Sequence, residues 1–159
     1  MNNKFSLTSN TKTVCWVTLF QIKAEMSFGN ITKWELGGWI EKESNLSTSW
    51  NAWVSWDAWV SWNAWVYWDA WVSWNAWVSW NAWVSWDARV SWNARVYWDA
   101  RVSWNAWVSW NAWVYWKIKL QFGWCFARKR KNWNITEIEN EEEILLIKDY
   151  KPAEEEIDN

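Results

Sequence analysis

The sequence predicts a mainly β protein, a hexapeptide-repeat β-solenoid tract flanked by an irregular N-terminal segment and a short C-terminal helix. Three observations carry this. From Ser49 to Val114 the chain repeats one six-residue unit eleven times, with Tyr115-Trp116 opening a twelfth. Six is divisible by two, so in an extended chain each face repeats without drift: Val54, Trp56, Ala58, Val60, Trp62, Ala64 on one side, Ser55, Asp57, Trp59, Ser61, Asn63, Trp65 on the other. Val and Trp favour extended backbone, whereas Trp at every third position of a helix would spiral around it and leave no polar stripe.

Residues 1–48 are non-repetitive, mixed polar and apolar, with Gly37-Gly38 expected to form a turn. Residues 49–116 are the Trp-rich tract. Its unit reads Ser/Tyr-Trp-Asn/Asp-Ala-Trp/Arg-Val, with Trp, Ala and Val invariant at the second, fourth and sixth positions. A longer duplication lies on top of it, since Asp57–Trp86 aligns with Asp87–Trp116 with differences only at Trp59/Arg89, Trp65/Arg95, Trp71/Arg101 and Ser85/Tyr115. Residues 117–159 run from basic to acidic. Within them Thr136 and Glu139 have capping-box spacing ahead of Ile144-Leu145-Leu146-Ile147, so a helix is expected over 137–149, ended by Lys151-Pro152.

No strand of sixty residues exists in a compact fold, so the tract must turn. The unit Val-Ser-Trp-Asn-Ala-Trp resembles the hexapeptide repeat of left-handed parallel β-helices, with Val60 and Ala64 at the two inward positions of one copy. That resemblance implies coils of about eighteen residues and fewer than four coils in the tract. The unit departs from the family in having Ser or Tyr after the aliphatic residue, no glycine at the corners and two Trp per copy. The acyltransferase sites of many members use a His, and this chain has none.

The composition narrows the function classes. Trp accounts for 25 residues against 5 Phe and 4 Tyr, and the tract contains no Leu, Ile, Phe or Met. The net charge of −2 gives no overall attraction to nucleic acid or anionic lipid. Ala127-Arg128-Lys129-Arg130-Lys131 and the acidic residues from Glu137 to Glu156 read as solvated runs. Cys15 and Cys125 are too few for a zinc site or a disulfide framework, and nothing in the sequence argues that they pair. The apolar run Val14–Phe20 is too short to span a bilayer and does not read as a signal peptide, so the cytoplasm is the default expectation. Asn30-Ile31-Thr32, Asn45-Leu46-Ser47 and Asn134-Ile135-Thr136 have the spelling of glycosylation triplets, without a secretion signal to give them meaning.

No catalytic, cofactor-binding or metal-binding residue is expected, because every Asp in the repeat has the same environment and none is singled out. The chain is therefore not expected to be an enzyme. The candidate contact surface is the fifth position of the unit: Trp53, Trp59, Trp65, Trp71, Trp77, Trp83, Arg89, Arg95, Arg101, Trp107 and Trp113. Trp beside Asn or Asp suits sugar or protein partners, and self-association is expected because one solenoid cannot bury two indoles per unit. An uncovered surface of that kind would leave the tract poorly ordered or aggregating. Nucleic acid is disfavoured, the tract carrying four Asp against three Arg.

A second resemblance concerns the gene. Trp is encoded only by TGG, so reading the same DNA one base later places Gly at every third codon, as in collagen-like Gly-Xaa-Yaa tracts. Asn/Asp becomes silent in that frame, and Trp/Arg does so when the Ala codon ends in C. This resemblance implies that the tract is a shifted-frame translation of a collagen-like region, incidental to a repetitive DNA and without a biochemical function of its own. The alternative is a repetitive structural or surface-interaction protein.

Overall fold

The computed structural model describes residues 3–115, 117, 119–121, 124–125 and 137–138. The chain is a β-solenoid of about four turns. Each hexapeptide contributes one two-residue strand and one turn, and three hexapeptides complete a coil, so each repeat strand from Trp53–Val54 to Arg101–Val102 pairs in parallel with the one eighteen residues on. The first face stacks β4 (Trp53–Val54), β7 (Trp71–Val72), β10 (Arg89–Val90), β13 (Trp107–Val108) and β16 (Trp124–Cys125). The second stacks β5 (Trp59–Val60), β8 (Trp77–Val78), β11 (Arg95–Val96) and β14 (Trp113–Val114). The third stacks β6 (Trp65–Val66), β9 (Trp83–Val84), β12 (Arg101–Val102), β15 (Lys119–Leu120) and β17 (Glu137–Ile138).

The alternation read from the sequence holds over Ala-Trp-Val-Ser and then stops. Ala and Val point inward and are buried throughout the tract, Val60 and Ala64 included. Three Val and three Ala fill each coil, the Val side chains contributing roughly 1.5–3 kcal/mol each by burial. Two bonds per unit tie coils together, as in Trp53 N–H to Ala70 O at 3.1 Å and Ser55 N–H to Val72 O at 2.9 Å. The second and third positions of the unit form a turn closed by bonds such as Ala58 N–H to Ser55 O at 3.3 Å. That turn resets the phase, so Trp56 and Trp62 do not share the inward face with Val and Ala. They stand at the corners.

Each corner Trp has a positive φ, from 55° at Trp104 to 65° at Trp98, and its Asn or Asp neighbour does not. This is the φ pattern of a type II′ turn, whose first central position glycine usually fills. A left-handed conformation costs a bulky L-residue roughly 1–2 kcal/mol, so something must offset eleven such corners. The indoles themselves do so, as described below.

The N-terminal segment, expected to be irregular, is regular β structure that closes one end of the solenoid. β1 (Phe5–Val14) and β2 (Val17–Ala24) form an antiparallel hairpin, and β2 pairs antiparallel with β3 (Leu36–Ile40). β3 then runs parallel to β5, Trp39 opposite Trp59. The hairpin tip is Cys15-Trp16, both with positive φ, where a type I′ turn more often has Asn-Gly; Cys15 is exposed with a free thiol. Gly37-Gly38 lies inside β3 and is not a turn. A Cβ at Gly37 would stand 2.5 Å from Ile22 Cγ1, and one at Gly38 would stand 2.6 Å from the Ala58 carbonyl oxygen. Glycine is there because another backbone approaches closely.

The first coil's remaining open carbonyls are met by side chains. Asn45 Nδ2 donates to Trp62 O and Ala64 O at 2.9 and 2.8 Å, next to a Leu46–Val66 bridge. Lys4, almost fully buried, donates through Nζ to Ala52 O at 2.8 Å and Trp50 O at 3.4 Å. Burial lowers the Lys4 pKa to about 8 against a partial offset from Asp69. Between that value and the ordinary 10.5, the unfolded chain holds a proton that the folded chain has released, so stability should rise with pH across this window. We expect chemical denaturation from pH 8 to 10.5 to show a rise, by at most about 3 kcal/mol from this group, that disappears in Lys4→Met. Equal pH slopes in the two chains would remove Lys4 from the account.

At the other end, Glu137–Ile138 pairs with Lys119–Leu120 as a strand, so the helix expected over 137–149 does not begin there. The solenoid's third face offers these two residues an open parallel edge, which competes with a local capping box. The rest of that segment, 139–149, lies outside the described residues.

Candidate interaction surface

Because the repeat returns to the same corner every eighteen residues, its corner indoles form three columns along the axis. Trp50, Trp68, Trp86 and Trp104 make one, with centroid spacings of 4.9, 4.5 and 4.7 Å. Trp56, Trp74, Trp92 and Trp110 make the second, at 5.1, 4.9 and 5.0 Å. Trp62, Trp80 and Trp98 make the third, at 4.9 and 5.2 Å. Apart from the tilted Trp50–Trp68 pair, ring planes lie within 6° of parallel. An aromatic pair contributes about 0.5–1.5 kcal/mol beyond area burial, and an interior column member has two such neighbours. Stacking is therefore of the size needed to hold Trp in the left-handed corner.

Next to the indoles run columns of Asn and Asp. Asn51 Nδ2 donates to Asp69 Oδ1 at 2.7 Å, Asn81 Nδ2 to Asp99 Oδ1 at 3.1 Å, and Asn63, Asn75 and Asn93 make longer amide bonds of 3.4 Å up their columns. Asp69 and Asp99 thus each accept from an amide one coil away. Among the described residues no group of three or more His, Cys, Asp or Glu converges as a metal site would. Nor, among the described residues, is any helix long and apolar enough to cross a membrane.

The candidate contact residues, at the fifth position, occupy the middle of the three faces and differ among themselves. Trp53 is no contact residue: it is fully buried under the N-terminal cap, edge-on to Phe28 at 5.3 Å. A cap that closes the first coil must cover its first outward side chain, which the repeat pattern could not reveal. Trp59, Trp71, Trp77, Trp107 and Trp113 are half-buried; Trp65, Trp83, Arg89, Arg95 and Arg101 are exposed. The three Arg fall on the three successive faces of one coil and lie against neighbouring indoles. Arg95 is sandwiched between Trp77 and Trp113 at 5.3 and 5.1 Å, Arg89 sits 5.9 Å from Trp107, and Arg101 sits 5.0 Å from Trp83.

The faces are not equivalent. On the first, the Trp71 and Trp107 indole N–H groups donate to Ser55 and Ser91 Oγ at 3.1 and 3.2 Å. On the second, Trp77 stacks on Trp59 at 4.1 Å instead, and Trp77 Nε1 and Ser61 Oγ are buried without a partner. On the third, Tyr67 replaces Ser, stacks on Trp65 at 4.6 Å and meets Trp83 edge-on, so Trp65 and Trp83 stand at 82° and the ladder is broken.

The corner indoles were not among the candidate residues, yet ten of the eleven are 37–67% exposed and Trp68 is half-buried. The signal that finds them is the Trp-Asn/Asp dipeptide with Ala following, a turn in which Asx supplies the second central residue. No protein-family model matches this chain, and no curated protein does.

Proposed function

We propose that this protein is a non-catalytic structural and surface-interaction module, a rigid solenoid that associates side by side with further copies of itself through its corner indole columns. The observation that carries the reading is the stacking. Each interior indole has both faces covered by its own neighbours and only its edge and rim left to solvent. A pyranose or a base needs an open aromatic face, so these columns do not suit sugars or single strands. They suit a second apolar ridge, and continuous exposed apolar surface of this kind marks protein contacts. An identical rod has its ridges at the same one-coil spacing, which allows contact rung by rung.

The distribution of variation supports selection in this reading frame over a shifted-frame origin. The invariant Val and Ala fill the core, whereas the Asn/Asp and Trp/Arg positions face outward. Selection on this frame leaves the wobble bases of the Ala and Val codons free to drift.

Sedimentation velocity over a wide concentration range tests the reading. Glycine accepts the positive φ of the corner, so Trp56, Trp74, Trp92 and Trp110 can all be changed to Gly without straining the turns. We expect the native chain to self-associate and this one-column variant to need at least tenfold more protein for the same degree of association, with its strand content unchanged. A native chain that stays monomeric throughout would sink the proposal.

A further inference from the structure

The three indole columns are not equally fit to meet a second copy. The second, Trp56, Trp74, Trp92 and Trp110, is the straightest, each ring within 3° of parallel to the next. As a whole it is also the most exposed, from 41% at Trp92 to 67% at Trp56. The polar column beside it is Asp57, Asn75, Asn93 and Asn111, one carboxylate in four. The first column is tilted by 30° at its first pair, has a half-buried member in Trp68, and runs beside Asp69 and Asp87 on successive coils. The third has three indoles among the described residues. The cap engages its first corner, where the Glu41 carboxylate accepts from Trp62 N–H and Lys42 donates to Asn63 at 3.2 Å.

Charge sets the direction in which two copies can run along the second column. Trp92 has Arg89 and Arg95 on the faces either side of it, both exposed, whereas Trp56, Trp74 and Trp110 are flanked at the same positions by Trp. Copies running the same way with coils level would bring Arg89 and Arg95 against their own counterparts, and Asp57 against the partner's Asp57. Slipping one copy by a coil avoids this but leaves one rung of four without a counterpart. Copies running in opposite directions about a twofold axis between the second and third rungs keep all four. Trp56 then meets the partner's Trp110, Trp74 meets the partner's Trp92, the Arg pair faces the partner's Trp71 and Trp77, and Asp57 faces the partner's Asn111. Like charges brought together oppose association, whereas a guanidinium beside an indole favours it.

We infer that the self-association proposed above is an antiparallel pair of solenoids, joined along the Trp56–Trp110 column and closed at two copies. The inference rests on that proposal and adds the column, the direction and the stoichiometry. A twofold contact uses the same patch on both copies, so one pairing consumes it and no filament grows from it.

Asn75 and Asn93, exposed beside the middle rungs, read the direction. In the antiparallel pair each faces the other on the second copy; in a parallel pair each faces itself. Sedimentation equilibrium of the full chain at low ionic strength should find monomer and dimer. The dissociation constant should fall about tenfold in the double variant Asn75→Asp with Asn93→Lys and rise about tenfold in Asn75→Lys with Asn93→Lys, both differences shrinking in high salt. Circular dichroism of both variants should match the native chain. Weaker association of the first variant would mean a parallel pair, and native association of both would mean a different column. Growth past two copies with concentration would mean an open contact. Each of these overturns the inference and leaves self-association standing, whereas a native chain that stays monomeric removes both.

Discussion

Placing a carboxylate at Val84 should abolish folding of the solenoid. Val84 has no exposed surface and points into a core made only of Val and Ala over the central coils. The backbone groups around it are already committed between coils, Tyr67 N–H to Val84 O at 3.1 Å and Trp83 N–H to Ala100 O at 2.9 Å. An Asp there would find no cation and no free donor, and burying an unpaired ion costs several kcal/mol even after relaxation. That is a large fraction of the roughly 5–15 kcal/mol that separates a folded domain from its unfolded chain. In a solenoid each coil is held mainly by its neighbours, so failure in a middle coil divides the rest into pieces too short to bury a core. Val84→Asp should lose its cooperative thermal transition and its strand signal in circular dichroism, whereas Val84→Ala should keep both with a lowered midpoint. A cooperative transition at the native midpoint in Val84→Asp would mean that Val84 is not inside.

The core was legible in the sequence because period six preserves the face of a strand from one copy to the next. The resemblance to the hexapeptide repeat adds which residues point inward, Val60 and Ala64 in one copy, and a coil of about eighteen residues. What the period concealed was the turn. A pattern that alternates perfectly on paper gives no sign of where the backbone leaves the extended region, and Trp is a poor advertisement for a positive φ. Strict alternation puts Trp56 and Trp62 on the face of Val and Ala, and leaves only Trp59 and its equivalents as the candidate contact surface. The reason for the difference lies in contacts eighteen residues apart, since a Trp can occupy the corner only when others stack above and below it.

The same limit applies to the ends. Nothing local in Phe5–Ala24 says that it will cap a solenoid, because its partners are carbonyls of the first coil that exist only once the coil has formed. Nothing in the sequence sets Lys4 apart from the other lysines, and Asn45 reads as one more glycosylation triplet. In the structure both are buried and meet pairs of backbone acceptors. The third face shows the opposite case, in which Tyr in place of Ser at position 67, visible in the sequence as a minor variant, breaks an indole ladder beside a shallow concavity that it lines.

Gly38 gives the sharpest test of how the cap meets the solenoid. A methyl group there would approach the Ala58 carbonyl oxygen to 2.6 Å and Val54 Cγ1 to 2.8 Å, and the first of these is backbone that also accepts from Trp39 N–H at 2.9 Å. The carbonyl cannot swing aside without parting β3 from β5, and the Val54 side chain is packed in the core. Overpacking in a core usually costs about 1–3 kcal/mol, and Val in place of Ala should exceed that range because a branched side chain meets both obstacles at once. Gly38→Val should therefore release the cap while leaving the coils from the third onward intact. Hydrogen exchange would show protection lost in 5–24 and 36–47 and retained at Val90, Val96 and Val102. An exposed first coil also leaves a parallel edge unpaired, so the variant should aggregate at lower concentration than the native chain. Native protection across 36–47 in Gly38→Val would show that β3 does not lie against the first coil as closely as described.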